Sequence, residues 1–101
     1  MVTETSLDIY SPPLVDNIHP ESVLCWMRST IANSLAQSGA EWAWWFSMFH
    51  SGTYINQWMI VDMKLFSPRE TQLQENLLTI LEEMPGLVHA EDQTNHLQVT
   101  A

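Results

Sequence analysis

Apolar positions change their period along the chain, and the changes divide it into elements. Val23, Met27, Ile31 and Leu35 recur every four residues, the spacing of a helix with one buried stripe. The predicted helix runs from about Pro20 to Gln37. Pro20 stands at the first-turn position, and Glu21 follows where the helix dipole favours an anion. Gly39 reads as its stop. Ser38 with Glu41 three residues later is a capping pattern that opens a second helix. Trp42, Trp45, Phe46 and Phe49 fall at helical spacing, Trp44 and Met48 make the other side apolar too, and Ser51-Gly52 ends the helix near His50. The period then shortens. Tyr54–Phe66 is rich in aromatic and β-branched residues and reads as a strand, with Trp58-Met59-Ile60-Val61 apolar on both faces as in a strand covered on both sides. Ser67–Glu75 is a polar loop, and Asn76–Glu82 a second strand. Met84-Pro85-Gly86-Leu87 has type II turn chemistry, and Leu87–Ala90 is a third strand pairing back. The tail from Glu91 reads as loose. Residues 1–19 read as irregular, with a short strand at Ser6–Tyr10 and an extended path at Pro12-Pro13.

The expected architecture is one α+β domain over residues 1–101, with helices at about 20–50 and strands at about 54–90. It has two helices followed by a three-strand antiparallel meander. Two helices cover only one face of such a sheet, so a strand buried on both faces calls for a further layer. Composition points the same way. Five tryptophans in 101 residues demand a larger core or a partner surface, with their indole N–H groups paired.

The formal charge of −9, from twelve acidic and three basic residues, disfavours nucleic acid, whose binding requires cations to displace condensed counterions. Anionic membrane surfaces are disfavoured on the same ground. The apolar run around Trp42–Phe49 is too short to span a bilayer. The opening Met1–Ser6 lacks the basic start and apolar stretch of a secretory signal. A single cysteine excludes an internal disulfide, and Cys25, set among Val23, Leu24, Trp26 and Met27, reads as a small buried hydrophobe.

Candidate chemistry concentrates in His50-Ser51-Gly52-Thr53-Tyr54-Ile55-Asn56-Gln57-Trp58. This segment places polar side chains between a buried helix and a buried strand, where each must be hydrogen-bonded. One reading is structural: these groups cap the helix and tie down the turn. The other is functional: Thr53, Asn56 and Gln57 line a site and offer neutral donors to a developing oxyanion. Trp58 reads as a packing anchor. Ser51 beside His50 makes no triad, because no orienting acid is specified. His89, Glu91, Asp92 and His96 match no metal spacing and read as solvated surface. Glu82 and Glu83 face opposite sides of a strand, which makes them poor partners in a two-carboxylate mechanism.

Ser51-Gly52-Thr53-Tyr54 followed by Asn56-Gln57-Trp58-Met59-Ile60-Val61-Asp62 resembles the hallmark block of the phospholipase B-like family, which typically reads Asn-Ser-Gly-Thr-Tyr-Asn-Asn-Gln-Trp. Pro20–Arg28 with Ile31-Ala32-Asn33, Ser38-Gly39 and Trp42 resembles the family's preceding helices. Leu81–Val88 resembles its glutamate-X-isoleucine-proline-glycine hairpin. The resemblance covers about residues 4 to 97. It implies a fragment of an N-terminal-nucleophile αββα sandwich. In that fold a precursor is cut to expose a cysteine, whose own α-amino group acts as base. The implied activity is removal of fatty acyl chains from glycerophospholipids, in lysosomal or secreted proteins, without metal or organic cofactor. The implied site residues here are Thr53 and Asn56 as wall residues, with His50 standing where the family has its first motif Asn.

Three departures qualify the resemblance. Cys25 does not match the family's upstream nucleophile. His50 and Ile55 replace two motif asparagines. The family's Gly-Tyr-Trp-Pro-Ser-Tyr-Asn segment is absent. The expectation is therefore a part of a hydrolase, inactive without its upstream nucleophile segment, whose partners are the missing parts of the same protein and an acyl substrate. The alternative is a non-catalytic remnant that binds protein or lipid through exposed aromatic surface.

Overall fold

In a computed structural model of the chain, the described residues are 1–7, 16, 22–52 and 55–100. They form an α+β unit with four strands and three helices in the order β1 (Val2–Ser6), α1 (Cys25–Leu35), α2 (Gly39–Ser47), β2 (Asn56–Val61), β3 (Leu78–Met84), β4 (Leu87–Asp92) and α3 (Thr94–Thr100). The sheet is antiparallel throughout, in the order β1-β2-β3-β4. The expected three-strand meander is present as β2-β3-β4, but a fourth strand extends it. Ser6–Tyr10 does not supply that strand. Val2–Ser6 does, with Val2 opposite Ile60 and Ser6 opposite Asn56, and the Met1 ammonium donates to the Val61 carbonyl at 2.8 Å. Residues 8–10 lie outside the described residues.

The face of α1 turned to the sheet is not the predicted one. Cys25, Arg28 and Ala32 are buried, while Met27, Ile31 and Leu35 are 39–49% exposed. Small Cys25 and Ala32 lie in the core cluster with Trp42 and Trp58, and buried Arg28 is paired across the core, which local periodicity cannot register. The helix starts at Cys25 rather than Pro20. Residues 22–24 are not helical, Leu24 is extended at φ −60° and ψ 148°, and Pro20 lies outside the described residues.

Gly39 does not stop α1. Ala36 leaves the helix first, at φ −71° and ψ 138°, and Gly39 is instead the first residue of α2. A Cβ on Gly39 would stand 2.2 Å from Thr79 Oγ1, so the glycine lets α2 sit directly on β3. The predicted cap holds: Ser38 Oγ accepts from the Glu41 amide at 3.1 Å. The helix ends at Ser47, earlier than His50, and Phe49 takes a left-handed φ of 53°.

β2 is shorter than Tyr54–Phe66 because Asp62 accepts from the Lys64 amide and starts a single 3-10 turn at Met63–Leu65. Its burial alternates. Asn56, Trp58 and Ile60 are buried against α1 and α2, and Gln57, Met59 and Val61 are half-buried. Trp42, Phe46 and Trp58 form an aromatic triangle with ring centroids 4.9–5.2 Å apart. With Ala32, Ala43, Ile60 and Leu81 they make the core. Two-sided coverage of β2 is not met among the described residues: α1 and α2 cover one face, and α3 reaches only a corner of the other.

The Met84–Leu87 turn forms as predicted, with Gly86 at φ 74° in the position that requires a positive value. β3 reaches to Met84 and β4 to Asp92. The tail is not loose. The Asp92 carboxylate accepts from the Thr94 amide and hydroxyl at 3.0 and 2.5 Å and from the Asn76 amide at 3.0 Å. Thr94 Oγ1 accepts in turn from the Leu78 amide at 3.0 Å, which fastens α3 to the start of β3.

Candidate functional site: a buried carboxylate node

The centre of the helix-covered face is Glu83, a fully buried glutamate on the same side of β3 as Leu81. Its Oε1 lies 2.9 Å from His50 Nε2 and 3.6 Å from Arg28 Nη2. Its Oε2 accepts from the Trp58 indole at 2.8 Å and from the Asn56 backbone amide at 3.1 Å. Four elements of sequence therefore meet on one carboxylate: α1, the segment after α2, β2 and β3.

Arg28 is itself fully engaged. Its Nη1 donates to the Phe46 carbonyl at 2.7 Å, its Nε to the Val23 carbonyl at 2.9 Å and its Nη2 to Ser51 Oγ at 3.3 Å. The guanidinium lies 4.3 Å from the Phe46 ring centroid. Burial pulls the Arg28 guanidinium below its ordinary value, and the neighbouring Glu83 charge partly restores it. A buried charge is tolerable only when paired and hydrogen-bonded in this way. Cys25 sits beside the pair. Burial first, and then the Glu83 carboxylate, push its thiol up, the opposite of what a nucleophile needs.

Of the three site residues expected from sequence, the structure brings two together. His50 and Asn56 both attach to Glu83, His50 through its ring and Asn56 through its backbone. Thr53 lies outside the described residues. Among the described residues, three buried polar atoms at this node have no hydrogen-bond partner: His50 Nδ1 and both Nδ2 and Oδ1 of Asn56. Such atoms are rare and each calls for a reason. Trp58 is the packing anchor expected, and its indole also donates to Glu83.

Sequence reasoning missed Glu83 and Arg28. The available signal was an acidic residue on the apolar side of a strand and a lone arginine in an apolar helix, two opposite charges with no solvent-facing reason to be there. Glu82 does point the other way and is exposed. His89 and Glu91 pair with each other on the surface at 2.8 Å, Asp92 caps α3, and no group of three metal-ligating side chains occurs among the described residues. A concavity of about 420 Å³ lies on the other face of the sheet, floored by Leu78 and Ile80 and rimmed by Glu82, His89, His96 and Leu97. It has no wall in common with the Glu83 node. No helix among the described residues is long and apolar enough to cross a membrane.

The segment that delivers His50, Asn56 and Trp58 to Glu83 is the motif block of the sequence, and comparison with known proteins agrees with that reading. The family model for phospholipase B matches residues 1–101. Phospholipase B-like 2 of Mus musculus is 46% identical over 98 residues, covering 96% of this chain and 16% of the mouse protein. Phospholipase B-like protein G of Dictyostelium discoideum is 44% identical over 100 residues, covering 95% of this chain and 17% of its own length. Phospholipase B-like 1 of Rattus norvegicus is 38% identical over 98 residues, covering 97% of this chain and 18% of its own length. The chain thus spans less than a fifth of the length of these relatives. Matched from end to end, and folded so that the matching block builds the buried node, the chain belongs to the phospholipase B family.

Proposed function

We infer that this chain is the part of a phospholipase B-like acyl ester hydrolase that builds one wall of its active site. The reaction is removal of fatty acyl chains from glycerophospholipids. The nucleophile comes from a segment upstream of the sequence described, and the chain by itself does not turn over substrate. The observation that carries this reading is the node of unpartnered buried polar atoms, His50 Nδ1 and the Asn56 amide, in the family's hallmark block. The Asn56 amide is a neutral, preorganised donor of the kind that stabilises an oxyanion in a site closed to water. Thr53 completes the proposed wall.

The incompletely covered second face of the sheet supports an N-terminal-nucleophile sandwich, in which another sheet packs there. Half-buried Met59, Val61, Leu78, Ile80 and Met84 supply the apolar surface such a layer needs. A lysosomal or secreted location goes with this family reading.

The test is acyl ester hydrolysis by a protein that joins these residues to the upstream nucleophile segment. Asn56→Ala is expected to lower kcat by about 100-fold or more while the melting transition is kept. Undiminished turnover by Asn56→Ala removes it from the site, and turnover by the 101-residue chain alone overturns the need for an upstream nucleophile.

One observation favours a second reading, a non-catalytic binding module: Trp26, Trp44 and Phe49 are 59–69% exposed. Recovery of hydrolysis in the joined protein rules that reading out.

A further inference from the structure

The hydrogen-bond chemistry around Glu83 places a hydrogen on His50 Nε2. Three of the carboxylate's neighbours can only donate: the Arg28 guanidinium, the Trp58 indole and the Asn56 backbone amide. A carboxylate so surrounded is an acceptor at both oxygens and has no proton to give. His50 Nε2, 2.9 Å from Oε1, must therefore carry the hydrogen of that contact. Arg28 already balances the Glu83 charge, so the node is neutral when His50 is neutral, and its Nδ1 is then a bare acceptor. That atom is buried without a partner among the described residues, with the side chain 8% exposed.

We propose that Glu83 is a positioning residue that locks His50 as its Nε2–H tautomer, so that Nδ1 accepts a hydrogen bond from an O–H, S–H or N–H group of the reacting partners. The arrangement is a ring held at one nitrogen by a carboxylate and open at the other, the logic by which imidazoles are oriented for proton traffic. The family asparagine at this position has an amide that needs no such tautomer control. A histidine there works only if its ring is held, and Glu83 holds it. The donor can come from the enzyme's own nucleophile segment or from the substrate, and the two sources are separable by experiment. The charged groups packed at the ring are Glu83 from β3 and Arg28 from α1, which lies against the same carboxylate oxygen.

The inference rests on the hydrolase reading only for its catalytic consequence; the tautomer stands or falls separately. In the protein labelled with 15N-histidine, with His50→Asn assigning the signal, His50 is expected as the Nε2–H form near neutral pH. A Nδ1 shift already perturbed without ligand identifies the nucleophile segment as donor, and a shift that moves only when a substrate analogue is added identifies the substrate. An Nδ1–H tautomer overturns the proposal.

The second measurement is a double-mutant cycle on acyl ester hydrolysis by the joined protein. Glu83→Gln is expected to lower kcat about tenfold or more with little change in KM. In the His50→Asn background the same substitution is expected to cost several-fold less. Equal losses in both backgrounds mean that Glu83 acts on the fold and not through His50, and the proposal fails. A joined protein with no hydrolysis but the expected tautomer refutes the hydrolase reading and leaves the positioning of His50 intact.

Discussion

The two faces of the sheet are built from alternate residues of the same strands and end in opposite conditions. On the helix side, Trp58, Ile60, Leu81 and Glu83 are buried at 9% exposure or less, and every oxygen of Glu83 is satisfied. On the other side, Met59, Val61, Leu78 and Ile80 are only half-buried, and α3 covers one corner. The same contrast runs through α1, whose inner face is closed by an arginine and whose outer face carries the predicted apolar stripe in the open. A polar group can therefore lie deep while hydrophobes lie exposed. What separates the faces is which contacts the chain can complete by itself.

The largest expected effect is on the closed face. Glu83→Ala removes the acceptor of three donors and leaves Arg28 buried without its counter-charge, a loss of about 3–5 kcal/mol on the scale of broken buried ion pairs. Denaturant unfolding reads it, and a loss below about 1 kcal/mol would mean that the node is wet and the comparison false. Gly39→Ala is next. Helix propensity alone makes alanine the better residue, but its Cβ would meet Thr79 Oγ1, so destabilisation of about 1–3 kcal/mol is expected from overpacking. A stabilised Gly39→Ala protein would show that α2 does not sit directly on β3.

On the open face the effects reverse in kind. Ile80→Thr is expected to change unfolding free energy by less than about 1.5 kcal/mol, because the site is half-exposed, while lowering self-association in light scattering. A large loss of stability would show that this face is covered. The smallest effect belongs to Asp92. Burial alone would raise its carboxyl, but the Thr94 hydroxyl and the amides of Asn76 and Thr94 outweigh it and hold the group below its ordinary value. Its contribution is present above the unfolded-state carboxyl value of about 3.9 and is lost as pH falls through the lower folded value. Protection of the Asn76 and Thr94 amides from exchange, relative to the intrinsic rate at each pH, is expected to fall across that acid range and to be low at all pH in Asp92→Ala.

Much of this was legible in local sequence. Ser38 with Glu41 and Pro85-Gly86 each carry their signal within a few residues and form where expected, and the strand read at Tyr54–Phe66 forms over the shorter Asn56–Val61. The inner face of α1 did not, because Arg28 is buried by a partner 55 positions away in sequence, and a periodicity count scores any arginine as outward. β1 was displaced because its register is set by pairing to β2. α3 was overlooked because its capping acid, Asp92, stands at the end of the preceding strand and bridges back to Asn76. At the site, the motif block pointed to His50 and Asn56, while the residue that gathers them sits beyond a long loop and reads locally as half of an ordinary Glu-Glu pair.

Cys25 is the first residue of α1, buried in the core cluster with Trp58, and it is the chain's only cysteine. Its thiol is both shielded and held away from the reactive thiolate. A disulfide reagent should therefore wait for α1 to lift before it can label the protein. Each labelling event then counts one opening of the closed face, so the molecule carries an intrinsic clock for that motion, readable at a single sulfur without any introduced probe.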